Sequence, residues 1–184
     1  MSAAGITALV KDLASQDLVA YRPYRGVRLT ESGRERALEI LRRHRLLELF
    51  LVEVLGMDWS EVHQEAEALE HVISERVAHR LDVTLGHPQV DPHGDPIPPP
   101  NGDMPRDNPK SLLSCDEGCD LTVARIDDQS GEFLRLVDEI GLRPGSRVRV
   151  EERNSAAETV QIQVATLGEV SLGMQAASKI LVEA

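Results

Sequence analysis

Two histidines and three glutamates crowd into "HQEAEALEH", residues 63–71. On a helix, positions i, i+4, i+7 and i+8 share a side, so His63, Glu67, Glu70 and His71 project within an arc of roughly 100°. Glu65 points away from that arc. A further pair, His44 and Glu48, stands at i, i+4 upstream. Imidazole with carboxylate is a borderline-to-hard donor set, suited to Fe(II), Mn(II), Co(II), Ni(II) or Zn(II), and with no cysteine nearby in sequence a soft thiolate site is not expected. The competing reading is a solvated helix face, because glutamate is a good helix former and Glu/His pairs at this spacing are common. Spacing alone leaves the two readings level. The segment is not HExxH, which gives a zinc-protease reading little support. No nucleophile–base pair stands out elsewhere, so an enzyme is not expected.

These residues need helices to position them. "SAAGITALVKDLASQ" (2–16) reads as a short helix capped by Ser2, and "DLVAYRPYRGVRLT" (17–30) as two β-prone runs around a turn at Pro23–Gly26. Thr30 caps a long helix running to about Leu55, with Gly56 ending it. A second helix is expected from about Ser60 to Leu81, with Val62, Ala66, Leu69, Ile73 and Val77 as its apolar stripe. Antiparallel packing across "GMDW" would bring His44 and Glu48 against His63.

Composition then changes. "GHPQVDPHGDPIPPPNGDMPRDNP" (86–109) is too rich in Pro, Gly and Asp for helix or central strand and reads as an extended linker. His87 and His93 within it are expected to be turn residues and not ligands. Beyond it, "LTVARI", "RVRVEE", "TVQIQVA" and "EVSLG" are short strands, interrupted by one helix near Gly131–Ile140, which suggests a small curled sheet or barrel. The fold class is α+β.

The net charge of −11 over 184 residues argues against a general nucleic-acid binder, but it is unevenly spread. Residues 1–50 hold nine Lys/Arg against six Asp/Glu, so only this end could meet a phosphate backbone without strong repulsion. No apolar run approaches a membrane span, no signal-type segment opens the chain, and two cysteines fit a reducing compartment, so a cytoplasmic location is expected. Cys115 and Cys119 have acidic neighbours that raise thiol pKa, which disfavours a reactive thiolate. Trp59, the only tryptophan, is expected in a core or dimer contact.

Taken together, "VRLTESGRERALEILRRHRLLELFLVEVLGM", "EVHQEAEALEHVISERV" and "DPHGDPIP" closely resemble the diphtheria-toxin-repressor family. The family consists of metal-dependent repressors that bind operator DNA as homodimers. The resemblance covers nearly the whole chain. It implies a partial winged helix-turn-helix (1–30), a helical dimerisation and metal-binding domain (31–88), a Pro/Gly-rich linker (89–117) and an SH3-like domain (118–184).

Residue by residue, His44, Glu48 and His63 match the family's first site, completed from the SH3-like domain by positions that look like Gln129 and Glu132. Glu67, Glu70 and His71 match the activating site, and a carboxylate at 67 leans toward Mn(II) or Fe(II). Ser2, Gly5, Thr7 and Ala8 match positions that approach DNA. Gly5 and Ala8 have no side-chain donors, so base reading would be sparse. Lys11, Arg22, Arg25 and Arg28 would meet phosphates, although residues alone favour a solvated hairpin for the arginines. The family pattern begins two helices before "SAAGITALVKDL", and the first of them supplies a further ligand. The chain's true start is therefore expected upstream of Met1, the alternative being a dimeric metal-sensing or interaction protein that no longer binds DNA.

Overall fold

The computed structural model describes residues 2–100, 102, 104 and 108–184. Helix α1 (Ala3–Ser15) opens the chain, and the Ser2 hydroxyl caps it by accepting from Gly5 N at 3.2 Å. An antiparallel hairpin follows, β1 (Val19–Arg22) with β2 (Gly26–Leu29). Thr30 then caps the long helix α2 (Glu31–Glu53), accepting from Gly33 N at 3.0 Å. Gly33 is obligatory here, because a Cβ would lie 1.8 Å from the Leu18 carbonyl oxygen.

The single helix expected over 60–81 is two helices, α3 (Val62–Glu70) and α4 (Glu75–Thr84). Ser74 causes the break: its hydroxyl accepts from Val77 N at 3.3 Å and starts a new helix in place of continuing the old one. The expected stripe is broken with it, since Val62 and Ala66 are buried while Leu69 and Val77 are exposed. Val62, Ala66 and Leu81 pack on Leu46, Leu47, Leu49 and Leu51 of α2 and on Ile97, forming the helical core.

Residues 86–100 of the Pro-rich stretch have a defined path. Asp91 Oδ1 accepts from the amides of His93 (2.8 Å) and Asp95 (3.0 Å), folding "DPHGD" into a tight turn. Gly94 has φ +89° and lies so close to β4 (Asp120–Ile126) that a Cβ would sit 2.0 Å from Ala124 O. Ile126 N donates to His93 O at 2.9 Å, tying this strap to the C-terminal sheet. On its other side Arg42 and Arg45 of α2 donate to Pro98 O (2.7 Å) and Pro96 O (2.5 Å).

The C-terminal part comprises β3 (Lys110–Ser111), β4, α5 (Gly131–Glu139), β5 (Arg147–Asn154), β6 (Thr159–Val164), β7 (Gly168–Gly173), α6 (Met174–Ala177) and β8 (Ile180–Glu183). The sheet is antiparallel in the order β3-β8-β4-β5-β6-β7. Irregularities at Val123/Arg125 and Val150/Glu152 add curl, giving the SH3-like shape. Alternate residues such as Val148, Val150, Val160 and Ile162 fill its core, which Trp59 also enters. Val52 of α2 packs against both cores. No helix among the described residues is long and apolar enough to cross a membrane.

Candidate metal centre

Helix periodicity places His44 and Glu48 one turn apart on α2, and α3 carries His63 up to them. His44 Nε2 lies 2.9 Å from Glu48 Oε1 and 3.1 Å from His63 Nδ1, and His63 Nδ1 lies 3.0 Å from the same oxygen. Donor atoms on one face of an octahedron, each about 2.1 Å from its metal, are about 3 Å apart, so this triangle fits a divalent ion. The Glu48 side chain is 1% exposed and that of His44 12%, while His63 at 48% leaves the triangle open on one side.

Electrostatics act on two of these ligands: they keep the Glu48 carboxylate ionised, and they favour a proton on His44 that a metal ion would have to displace. Burial works to lower the His44 pKa, but the hydrogen bonds that Glu48 and Glu70 accept from its ring, with their charges, prevail and raise it. Burial works the opposite way on Glu48, and His44, His93 and His63 together bring it below the usual range. The carboxylate is therefore held ionised inside the protein, where an unpaired charge would be costly.

A second cluster shares Glu48. Donor atoms of Glu48, Asp91 and His93 all lie within 4.8 Å of one another, and all three residues are buried. His93 Nε2 is 2.9 Å from the Trp59 carbonyl oxygen, which can only accept, so Nε2 carries the hydrogen. In the neutral ring this leaves Nδ1 as a lone pair. That atom has no hydrogen-bond partner, is fully buried and lies 3.9 Å from Glu48 Oε2. An imidazole that donates one nitrogen to a backbone carbonyl while offering the other is the arrangement of a metal-bound histidine. Asp91 Oδ2 is likewise buried without a partner, and burial, then the charges of Glu48 and Asp95, push this acid up to about 7.

Sequence reasoning read His93 as a turn residue and did not single out Asp91; the structure keeps His93 in the turn and also buries its ring in this candidate cluster. The turn chemistry of "DPHGD" is real and masked both. The signal available was a histidine beside a glycine that must take positive φ, which marks a close backbone approach.

The remaining expected ligands are arranged differently. Glu70 is buried, with Oε2 2.7 Å from His44 Nδ1 and Oε1 3.1 Å from His71 Nε2. His71 is the exposed C-cap of α3. Glu67 is exposed, and among the described residues its donors do not converge with those of Glu70 and His71. Gln129 Nε2 donates to Asp95 Oδ2 at 2.6 Å, and Glu132 is exposed in the first turn of α5. Glu132 is not among the converging donors of either cluster.

At the other end, Ser2 spends its hydroxyl on the helix cap, and Gly5, Thr7, Ala8 and Lys11 are exposed along α1. The hairpin register pairs Ala20 with Arg28 and Arg22 with Gly26, so Arg22, Arg25 and Arg28 line one shallow hollow.

Comparison with known proteins agrees with this architecture. Residues 30–99 match the iron dependent repressor, metal binding and dimerisation domain, and residues 110–184 match the FeoA domain. The iron-dependent repressor IdeR of Mycobacterium leprae is 32% identical over 191 residues, covering 97% of this chain and 82% of that protein. IdeR of Mycobacterium tuberculosis is 50% identical over 74 residues, which is 40% of this chain and about a third (32%) of that protein's length. Among solved structures, a manganese-dependent transcriptional repressor in complex with manganese is similar at TM-score 0.89 and 44% identity, covering 99% of this chain and 85% of that one. The manganese regulator SloR follows at TM-score 0.78 and 30% identity, covering 100% of this chain and 84% of that one. With helical metal domain, strap and SH3-like sheet all matched, the chain belongs to the diphtheria-toxin-repressor family of iron- and manganese-dependent transcriptional repressors.

Proposed function

We propose that this chain acts as a metal-gated repressor, binding operator DNA as a homodimer when Mn(II) or Fe(II) is bound. The observation that carries the reading is Glu48, whose two oxygens serve two converging donor sets, His44 with His63 on one side and Asp91 with His93 on the other. Imidazole and carboxylate without thiolate suit both metals. A bound ion would supply positive charge, and α2, α3 and the strap would each contribute residues to hold it. Glu67, Glu70 and His71 are the candidates for the activating site, and Glu70 reaches the first site through His44.

The residues of the chain then divide the work. Helix α1 presents Gly5, Thr7 and Ala8 for groove contact, with Lys11, Arg22, Arg25 and Arg28 for phosphates. Gating requires that metal bind the DNA-competent state more tightly than the free one, since equal affinity shifts nothing.

Selection from a random duplex library, with and without Mn(II), tests this reading. Enrichment of one palindromic sequence only with metal is expected, and it should be lost in His44→Ala and Glu70→Ala. Enrichment that is absent, or indifferent to metal, contradicts it and favours an interaction protein.

A further inference from the structure

Arg45 lies on α2 between two candidate ligands, His44 and Glu48, yet it faces the strap. Its guanidinium donates to Pro96 O, sits 3.3 Å from Asp95 Oδ1 through Nη2, and leaves Nε 3.6 Å from Asp91 Oδ2. The last contact is an ion pair, too long for a hydrogen bond. Asp91 has already given Oδ1 to two backbone amides, so Oδ2 is its only free ligand atom, and the side chain is 1% exposed.

Asp95 is what occupies Arg45. It is itself gripped from the C-terminal domain, with Arg125 Nη1 3.3 Å from Oδ1 and Gln129 Nε2 2.6 Å from Oδ2. One carboxylate thus joins two arginines from different parts of the fold, on side chains 28% exposed or less. Without its charge, the carboxyl group nearest to Arg45 is that of Asp91. A largely buried arginine and a buried carboxyl separated by so small a gap would close to a hydrogen bond, because a buried polar group without one is costly.

We propose that Asp95 is a positioning residue that holds Arg45 away from Asp91 and so keeps Asp91 Oδ2 available to a metal ion. The SH3-like domain thereby sets the readiness of a centre to which, among the described residues, it contributes no converging His, Cys, Asp or Glu. The inference rests on the reading of Glu48, Asp91 and His93 as a metal-binding cluster.

The test is Mn(II) titration of the full chain followed by fluorescence of Trp59, which stacks on His93 at 5.5 Å. Asp95→Asn is expected to weaken Mn(II) binding ~10-fold or more, as loss of outer-shell partners does. Adding Arg45→Gln to Asp95→Asn should recover most of that loss by freeing Asp91, which a merely structural role for Asp95 would not produce. Unchanged affinity in Asp95→Asn, or a double variant as weak as the single one with unaltered thermal unfolding, overturns the proposal. A second arm needs no metal. In metal-free protein, solvent exchange of the Arg45 Nε–H, followed by NMR, should slow in Asp95→Asn as it engages Asp91. Unchanged exchange overturns the proposal even if wild type binds no Mn(II), whereas failure of wild type to bind Mn(II) sinks only the metal reading.

Discussion

His93 stacks on the indole of Trp59 at 5.5 Å, with an interplanar angle of 24°, and directs its Nε2 at the carbonyl of the same residue. Trp59 thus fixes both the plane and the tautomer of a buried imidazole whose other nitrogen faces Glu48. It stands at the junction between α2 and α3 and enters the core of the SH3-like sheet, so one residue orients a ligand and joins two parts of the fold.

This pairing makes the only tryptophan a reporter. Binding of paramagnetic Mn(II) at Glu48, Asp91 and His93 is expected to quench its fluorescence, and His93→Asn should abolish most of the quench. A full quench in His93→Asn would place the ion elsewhere.

Asp91 gives the metal-free protein a pH dependence. Its acid is held at about 7 in the fold against an ordinary 3.8. A raised acid favours folding most below its ordinary pKa and loses that contribution as pH climbs through the folded value. Metal-free stability should therefore fall between pH 4 and 8 by on the order of 2–4 kcal/mol from this group. Asp91→Asn keeps an acceptor for both amides and should flatten that fall, as measured by denaturant unfolding with chelator. An unchanged slope would show that Asp91 does not titrate there.

Gly94→Ala should detach the strap. The added Cβ meets Ala124 O at 2.0 Å with φ already at +89°. A loss of about 2–4 kcal/mol is expected in thermal or denaturant unfolding, with faster hydrogen exchange at Ile126. Wild-type stability in this variant would mean that the contact does not hold the strap to β4.

Gln129→Glu separates two roles for one side chain. As a metal ligand, Gln129 would tolerate glutamate or bind more tightly with it. As the partner of Asp95 at 2.6 Å, it would set two carboxylates against each other. Lower thermal stability with weaker Mn(II) binding is expected, and tighter binding would restore the ligand reading.

Much of this organisation was legible in the residues. The caps Ser2 and Thr30, the turn at Pro23–Gly26 and the length of α2 follow from local chemistry, and they emerge as expected. His44, Glu48 and His63 also meet, because helical spacing and a short connection leave them little choice. What escaped depends on competition or on distance. Ser74 could continue a helix or cap a new one, and the choice ended the expected stripe and left His71 at a helix end. His93 and Asp95 acquire their roles only when the strap is pressed between α2 and β4, which no local pattern encodes. The Cys115 thiol is raised chiefly by burial, more than by its acidic neighbour Asp116, and burial was not visible in "SCDEGCD". The last strand, β8, is four residues long and pairs with β4 from far along the chain.

Glu48 is the residue on which both clusters depend, so its neutral isostere tests the centre most directly. Mn(II) titration followed by electron paramagnetic resonance should show tight uptake in wild type. In Glu48→Gln, with metal-free folding retained, affinity should fall ~10-fold or more at both clusters. Equal stoichiometry and affinity in the two proteins would contradict a metal centre built on Glu48.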